Sequence, residues 1–125
     1  MVADLGSGLA GTLREMAEQR PDQQFFGFET APLPFLFSWL LIQFSGSKNV
    51  SVRFKSFWSV DLAEFDVLYC FLSPVPMEKL HAKAMSELKE GSLFISNSFT
   101  VPNHKPDRTV TVKDGRKTKL LVWKS

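Results

Sequence analysis

The sequence is poor in the residues that build disulfides, zinc sites and covalent active sites. Its 125 residues include one cysteine, one tyrosine and two histidines. Cys70 therefore has no partner for an intramolecular disulfide, and its apolar surroundings predict a buried thiol. No histidine and cysteine cluster has zinc spacing, and no nucleophile with its base can be named. We therefore assign no catalytic residue and expect no metal.

Long apolar runs are also lacking. The most apolar stretch, residues 33–44, is too short to cross a bilayer, which takes roughly 20 apolar residues. We expect no signal peptide, because the sequence reaches the strand that begins at Val2 almost at once. The expectations are a protein without a membrane span and a cytoplasmic location.

Charge of one sign dominates only the end of the chain. The net charge is +2, and residues 104–125 hold seven of the 15 Lys and Arg but two of the 13 Asp and Glu. Because these basic residues alternate with strand formers, a solvated edge is the simplest interpretation and nucleic acid is not expected. A docking surface for an acidic or phosphate-bearing partner is the alternative.

The apolar residues that are present predict an α/β fold. Hydrophobic residues make up 44% of the sequence and twelve are phenylalanines, enough for one compact domain over residues 1–125. Strands are predicted at 2–5, 24–29, 49–54, 65–72, 92–97, 109–112 and 118–123. Helices are predicted from Leu9 or Gly11 to Gln19, from about Pro32 or Pro34 to Phe44, and over 76–88. This order predicts a Rossmann-like, mostly parallel sheet that ends in an antiparallel hairpin, with Asp114-Gly115 as its turn.

The two longer predicted helices differ in pattern. Apolar residues surround the helix at 32–44, which predicts that both of its faces are buried. A single stripe with 3–4 spacing runs along the helix at 76–88, and His81 is expected at its surface or partly packed. Tyr69 is expected in the core, and His104 in a loop near the rim of the active site.

The glycines after the first strand fit two cofactors. Gly6-x-Gly8-x-x-Gly11 matches the dinucleotide fingerprint. Asp4-x-Gly6-x-Gly8 is similar to motif I of class I S-adenosylmethionine (SAM) methyltransferases. In both cases Glu29, at the end of the second strand, would accept hydrogen bonds from ribose hydroxyls.

Three features favour SAM. An acidic Asp4 at the end of a buried strand is costly unless a donor or a cation compensates it, and SAM is a cation. The C-terminal hairpin resembles the reversed seventh strand of class I methyltransferases. A chain of this length leaves no room for the substrate domain of a dehydrogenase.

The chain thus resembles class I SAM-dependent methyltransferases, and among them a small group of protein-lysine methyltransferases. Mitochondrial members of that group modify ATP synthase subunit c and the adenine nucleotide carrier. The similarity runs through residues 4–8, 27–32, 56–58, 66–67, 71–74 and 87–91. It implies an incomplete Rossmann-like fold with helices on both faces of the sheet, SAM as cofactor and a protein substrate.

The resemblance also implies a cofactor-binding role for ten residues. The methionine part of SAM would contact Asp4, Gly6, Ser7 and Gly8. The ribose would contact Glu29, and the adenine would lie beside Thr30, Ser56 and Phe57. The methyl group and the target amine would face Phe71 and Leu72.

Some positions depart from the family pattern and keep alternatives open. Leu9-Ala10-Gly11 replaces the usual Gly-Asp-Gly-Arg continuation, and Ser56 stands where the family tends to have Asp. A catalytically weak or inactive SAM-fold binding protein is one alternative, and a dinucleotide-binding module is the other. Several family helices are also missing, which predicts an exposed apolar patch on the helix at 76–88 and a homodimer that covers it.

Overall fold

Strands and helices alternate along the chain in the predicted order. The computed structural model describes residues 1–5, 11–46, 48–70, 74–112 and 118–125. The elements are β1 (Val2–Leu5), α1 (Gly11–Gln19), β2 (Phe25–Glu29), α2 (Pro32–Ser45), β3 (Val50–Phe54), β4 (Val67–Cys70), α3 (Pro74–Glu87), β5 (Leu93–Asn97), β6 (Arg108–Thr111) and β7 (Lys119–Lys124). Short 3₁₀ turns at Phe57–Ser59 and Leu62–Glu64 form the brief connection between β3 and β4.

The chain divides into two compact units, Met1–Val60 and Asp61–Ser125. The first unit contains three parallel strands, in which β1 pairs with β2 and β2 pairs with β3. Its core comprises Leu13, Ala17, Phe25, Ile42 and Val50. Strands with continuous apolar runs suit such a parallel arrangement, because helices cover them.

The second unit contains the C-terminal hairpin. In it β4 pairs with β5 in parallel, and β7 pairs antiparallel with both β5 and β6. Its fully buried side chains include Leu68, Met77, Leu80 and Phe94. The α/β class, the mostly parallel pairing and the antiparallel end are confirmed. The turn at Asp114-Gly115 lies outside the described residues.

The expected burial of α2 is wrong. Of its 14 residues only Ser38 and Ile42 are buried, whereas Leu33, Phe37 and Phe44 are exposed. The helix begins with Pro32 and ends before Gly46, whose φ of 70° is the usual left-handed cap. A helix that is apolar on all sides can still lie at a surface, because composition without a stripe does not say which side faces the core.

Among the described side chains of α3, no large apolar residue is exposed. Met77, Leu80 and Ala84 are buried as the stripe predicted, while Glu78 and Lys79 face solvent. Among the described side chains, the largest group of exposed apolar residues belongs to α2 instead. A homodimer through α3 stays a prediction.

His81 is buried, more deeply than the surface or partly packed position expected from the sequence. Its ring packs edge-on against Phe94 and Trp123, with centroids 6.1 and 5.7 Å away, and lies 4.4 Å from the ring of His104. Burial lowers the pKa of His81, and the nearby His104 lowers it further although Asp107 opposes the shift. The residue is a neutral part of the second core rather than a surface group.

Two other expectations concern β4. Cys70 is fully buried, with its Sγ 3.9 Å from the Sδ of Met77, so the buried thiol is confirmed. Tyr69 is half-buried, and its hydroxyl accepts a hydrogen bond from the Asn97 amide at 2.9 Å. In the described part of the chain, every helix falls short of the length and apolarity that crossing a membrane requires.

Candidate functional site

A cavity of about 180 Å³ lies where β2 and β3 end, within the first unit. Parallel pairing sets Glu29 opposite Phe54, and the Lys55 backbone N–H donates to the Glu29 carbonyl at 3.1 Å. The cavity is lined by Phe28, Glu29, Thr30, Lys55, Ser56, Phe57 and Trp58. Four of the residues predicted from sequence, Glu29, Thr30, Ser56 and Phe57, are therefore brought together. The register of two parallel strands accounts for this, because their carboxyl ends meet at one edge.

The Glu29 carboxylate is held by the backbone that leads into α2. Its Oε1 accepts hydrogen bonds from the N–H groups of Thr30 and Ala31, at 3.1 and 3.0 Å. Ala31, the N-cap residue, offers no side-chain cap, so the carboxylate satisfies donors just before the helix. A carboxylate fixed in this way has little rotational freedom, which suits it to bind a diol such as the ribose hydroxyls.

Ser56 caps the 3₁₀ turn that forms the opposite wall. Its Oγ accepts a hydrogen bond from the Trp58 N–H at 3.3 Å. A hydroxyl keeps one proton to donate when its oxygen is used in this way. An adenine next to Ser56 would therefore meet a donor, where the family's Asp would present an acceptor to the adenine amino group.

Two aromatic rings follow Ser56. The rings of Phe57 and Trp58 pack at a centroid distance of 4.7 Å and an angle of 46°. Phe57 is half-buried and Trp58 is 42% exposed. Flat apolar surfaces that line a cavity are suited to pack against a nucleobase.

Sequence reasoning missed three lining residues, Phe28, Lys55 and Trp58. Phe28 precedes Glu29 on β2, and its neighbour across the strand pair is Arg53. Lys55 and Trp58 flank residues that were predicted, so proximity along the chain was a usable signal. A tryptophan in the short loop after a strand was a second signal, because solvent exposure of so large an apolar ring is uncommon without a function.

Asp4 lies at the end of β1, next to this cavity along the sheet. It pairs with Gly27, two residues before Glu29 on the adjacent strand, and it is 5% exposed. Burial raises the pKa of Asp4 to about 7, and the negative Glu29 adds to the shift. Near neutral pH this carboxyl is poised between its neutral and ionised forms, and a cation beside it would favour the ionised form.

Five of the residues predicted to bind the cofactor lie outside the described part of the chain: Gly6, Ser7, Gly8, Phe71 and Leu72. The described cavity is smaller than the roughly 300–1,000 Å³ typical of small-molecule pockets, so it fits part of a nucleoside-sized cofactor. The buried carboxyl of Asp4, the fixed carboxylate of Glu29 and the aromatic pair together fit a cationic nucleoside.

Two further features bear on other chemistry. The described residues contain no group of three or more His, Cys, Asp or Glu side chains that could hold a metal ion. His104 lines a separate open cavity in the second unit with Thr100, Val101, Asn103, Lys105 and Pro106. Its ring lies 4.4 Å from that of His81. His104 is not among the residues that line the cavity at the ends of β2 and β3.

Solved structures share this fold. An RNA methyltransferase from Salinibacter ruber, in complex with S-adenosyl-L-homocysteine, superimposes with a TM-score of 0.87 at 24% identity, over 98% of this chain and 78% of its own. The precorrin-6y C5,15-methyltransferase from Geobacter metallireducens gives 0.73 at 18% identity, over 99% and 79%. PKMT2 from Rickettsia typhi, in complex with AdoHcy, gives 0.66 at 21% identity, and this chain spans 21% of its length. At these identities the likeness establishes the Rossmann-like methyltransferase fold.

The sequence itself matches one family. No curated protein matches the sequence of this chain. The family model of the ANTKMT methyltransferase domain matches residues 4–108, which include the glycine motif, the described cavity and β5. This match confirms the resemblance, and with it SAM rather than a dinucleotide as the cofactor. The chain therefore belongs to the ANTKMT methyltransferase domain family.

Proposed function

We propose that this protein transfers the methyl group of SAM to a lysine side chain of a protein. The observation that carries the proposal is the cavity in which Glu29, Ser56 and the Phe57–Trp58 ring pair meet. The family match supports methyl transfer, and the resemblance to protein-lysine methyltransferases supports the acceptor.

The residues of this chain would hold SAM at both ends of its nucleoside. Glu29 would accept hydrogen bonds from the two ribose hydroxyls, since two backbone donors already fix its carboxylate. Phe57 and Trp58 would pack against the adenine, and Ser56 would donate to a ring nitrogen. Bound SAM supplies a methyl group on a sulfonium, which is already activated for direct displacement. The protein's main contribution is then alignment and exclusion of water.

The pKa of Asp4 would respond to the positive charge of SAM. In the protein alone its pKa is raised to about 7. The cationic end of SAM would lower that pKa, so binding would release a proton from Asp4 below about pH 7. We assign no general base for the lysine amine. The acceptor would have to reach the site deprotonated or lose its proton to solvent.

Calorimetric titration with SAM, S-adenosylhomocysteine and NAD tests the cofactor. We expect binding of the first two and none of NAD. Repeating the titration in buffers of different ionisation enthalpy at pH 6.5 should reveal the proton released by Asp4, and Asp4→Asn should abolish that release. Tight binding of NAD alone would overturn the proposal.

Labelling of a cell lysate with radioactive SAM tests the acceptor. Labelled proteins are hydrolysed, and methyl-lysines are separated from other methylated residues. Label on methyl-lysine that requires the protein and disappears with Glu29→Gln is expected, with Glu18→Gln in α1 as the control. Label confined to RNA or to another amino acid would refute the lysine acceptor while leaving methyl transfer intact.

A catalytically weak SAM-binding protein is the second candidate. The observation that favours it is Ser56, whose oxygen already accepts the Trp58 N–H where the family tends to present a carboxylate. Ser56→Asp tests it, since Asp can cap the same turn and also accept from the adenine amino group. If the wild type binds SAM weakly and transfers nothing, while Ser56→Asp gains about tenfold in affinity, this candidate is favoured.

A further inference from the structure

The backbone directly after β5 is strained at Ser98. Its φ is 68°, and the Phe99 N–H donates to the Asn97 carbonyl at 2.9 Å. An i to i+2 hydrogen bond around a residue with positive φ is typical of a γ-turn of the rare, strained kind. Two more hydrogen bonds fix the turn, from the Ser98 N–H to the Lys119 carbonyl at 2.8 Å and from the buried Ser96 hydroxyl to the Phe99 carbonyl at 2.7 Å. The surrounding structure therefore holds the chain in this costly conformation.

Serine is an unusual residue for such a position. Four of the described residues have a positive φ, and the other three are Gly46, Gly91 and Asn103. Glycine lacks the Cβ that makes this region costly, and asparagine tolerates it better than most residues do. Because serine has neither advantage, we expect its side chain to have a use that offsets the strain.

The Ser98 hydroxyl begins a short row of hydrogen bonds. It donates to the Asn97 Oδ1 at 2.6 Å, and the Asn97 Nδ2 donates to the Tyr69 hydroxyl at 2.9 Å. We call these three side chains the polar row. Each bond polarises the next, so the Ser98 oxygen at the start of the row becomes a better acceptor for a further donor. Ser98 is exposed, whereas Asn97 and Tyr69 are half-buried, so a ligand can reach this oxygen.

The polar row lies at an edge of the sheet where folds of this class bind ligands. Asn97 is the last residue of β5, and β4 and β5 are parallel, so their carboxyl ends lie together. Tyr69 stands two residues before Phe71, and the family resemblance assigns Phe71 and Leu72 to the methyl group and the target amine. The row is therefore on the part of the second unit where an acceptor is expected.

Apolar side chains flank the polar row. Asn97 lies opposite Leu120 of β7, and Tyr69 lies beside Ile95 of β5. Side chains of directly paired residues project from the same face of a sheet, and both Leu120 and Ile95 are half-buried. A polar group in an apolar frame fits a ligand with an aliphatic stem and a polar tip, as a lysine side chain has.

The polar row has no formal charge, which suits a neutral amine. A carboxylate at this place would favour the ammonium form of lysine, whose nitrogen has no lone pair to methylate. The Ser98 oxygen can accept an N–H of the neutral amine and leave the nitrogen lone pair to form the N–C bond. In that step the C–S bond of the sulfonium breaks, its electron pair stays on sulfur, and the excess proton on nitrogen passes to solvent.

We propose that the Ser98 oxygen binds the lysine amine that receives the methyl group. Asn97 and Tyr69 are positioning residues, since they hold the Ser98 hydroxyl in the orientation that presents its oxygen. The proposal rests on the proposed function and adds to it the side chain that recognises the acceptor.

The kinetics of lysine methylation in a cell lysate test the proposal with Ser98→Gly. Glycine suits a positive φ, so this variant removes the hydroxyl and relieves the strain at once. With SAM saturating and the lysate protein varied, the lysate concentration that gives half the maximal rate should rise about three- to tenfold, as the loss of one hydrogen bond predicts. The melting temperature should stay level or rise, and the affinity for SAM should not change.

Two further variants separate recognition from structure. Ser86→Ala removes an exposed hydroxyl of α3 that donates to the Lys83 carbonyl, and it should leave all three quantities near their wild-type values. Tyr69→Phe removes the far end of the polar row. It should raise the half-saturating lysate concentration by less than Ser98→Gly does, because the Asn97 amide loses a partner while the Ser98 oxygen remains.

Failure of this proposal differs from failure of the proposed function. A wild type that puts no label on methyl-lysine overturns both. A wild type that methylates lysine, with an unchanged half-saturating concentration in Ser98→Gly, overturns only the role of Ser98. A loss of SAM affinity in Ser98→Gly also overturns that role, because the hydroxyl then serves the cofactor. A rise for the acceptor alone, with a level or higher melting temperature, supports the proposal.

Discussion

Helices α2 and α3 have the same length and opposite surfaces. Each has 14 residues and prolines in its first turn. α3 buries Met77, Leu80 and Ala84 and turns Glu78 and Lys79 outward, whereas α2 buries two residues and turns leucines and phenylalanines outward. The difference teaches that periodicity, and not apolar content, determines which side of a helix meets a core.

The same contrast extends to the two units. The first unit carries the candidate site, a buried carboxyl and the exposed apolar helix, each of which costs stability. The second fully buries Leu68, Met77, Leu80 and Phe94, and among the described residues its exposed large apolar side chains are two valines, Val110 and Val112. The destabilising features of the first unit thus accompany the proposed cofactor site, as is expected of functional sites.

The largest expected effect comes from a matched pair of leucines. Leu80→Ala should lower the free energy of unfolding by about 2–5 kcal/mol, because it leaves a cavity in a fully buried site. Leu36→Ala on α2 should cost less than about 1 kcal/mol, because that side chain is already half in water. Urea unfolding measures both. Equal losses would mean that α2 is as buried as α3 and would break the comparison.

The pH dependence of the unfolding free energy should show how much the buried Asp4 carboxyl destabilises the folded protein. Its folded pKa of about 7 lies above the ordinary value of 3.8, so folding takes up a proton and stability falls as the pH rises from about 4 to about 7. Asp4→Asn should therefore raise the unfolding free energy at pH 8 by roughly 2–4 kcal/mol, with little change at pH 4. SAM affinity should fall at the same time.

The control for Asp4 is Asp22→Asn. Asp22 is an exposed carboxylate that pairs with Arg20 at 3.1 Å, and its replacement should leave stability near the wild-type value. Thermal melts across pH 4–8 record both variants. A stability curve for Asp4→Asn that parallels the wild type would show that Asp4 does not titrate in this range.

Replacing Glu29 and Glu87 compares a carboxylate that is proposed to bind SAM with one that stabilises the fold. Glu29→Gln should lower SAM affinity about 10–100-fold, since a charged acceptor is lost. Stability should change little, because the amide oxygen of Gln can still accept from the N–H groups of Thr30 and Ala31. Glu87 in α3 accepts the Leu62 N–H at 3.0 Å and pairs with Lys83 at 2.6 Å. Glu87→Gln should lower stability by about 1–2 kcal/mol and leave SAM affinity unchanged. Calorimetry and urea unfolding measure the two effects, and an affinity loss in both variants would remove the distinction.

The smallest expected effect is a loss of stability at low pH in the second unit, which is opposite in sign to the pH effect of Asp4. Burial lowers the pKa of His81 below 6.5, so the unfolded chain binds the proton more readily. Stability is fully present above pH 6.5 and falls as the pH drops through that value. Denaturant unfolding from pH 7.5 to 5 should show this fall, and His81→Leu should flatten it. A slope that persists in His81→Leu would assign it to other groups.

Much of the fold was predictable because local signals agreed with it. The proline starts of α2 and α3, the glycine ends and the alternation in β3 located each element to within a few residues. The site was predictable where family likeness supplied roles, as for Glu29 and Ser56. Lys55 and Trp58 were missed, since nothing in a linear sequence states which neighbours of Ser56 line a cavity and which face away.

The errors share one physical cause. His81 was expected at the surface or partly packed and α2 in the core, because polarity was taken to indicate exposure. Burial of His81 depends on Phe94 and Trp123, which are 13 and 42 residues further along the chain. Exposure of α2 depends on which of its side chains reach the first core, and of these Ile42 belongs to it. Neither the neighbours of His81 nor the side of α2 that meets the core can be read from the local sequence pattern.

The sequence by itself determined the order of strands and helices, the SAM motif and the family, since these depend on residues close together in the chain and on their spacing. Only the tertiary structure decided which side of α2 faces water, that Asp4 and Glu29 interact, and which side chains line the cavity at the ends of β2 and β3. Strand pairing brings together residues about 25 positions apart, and burial sets their charges and exposure. Both are properties of packing, which no single stretch of sequence contains.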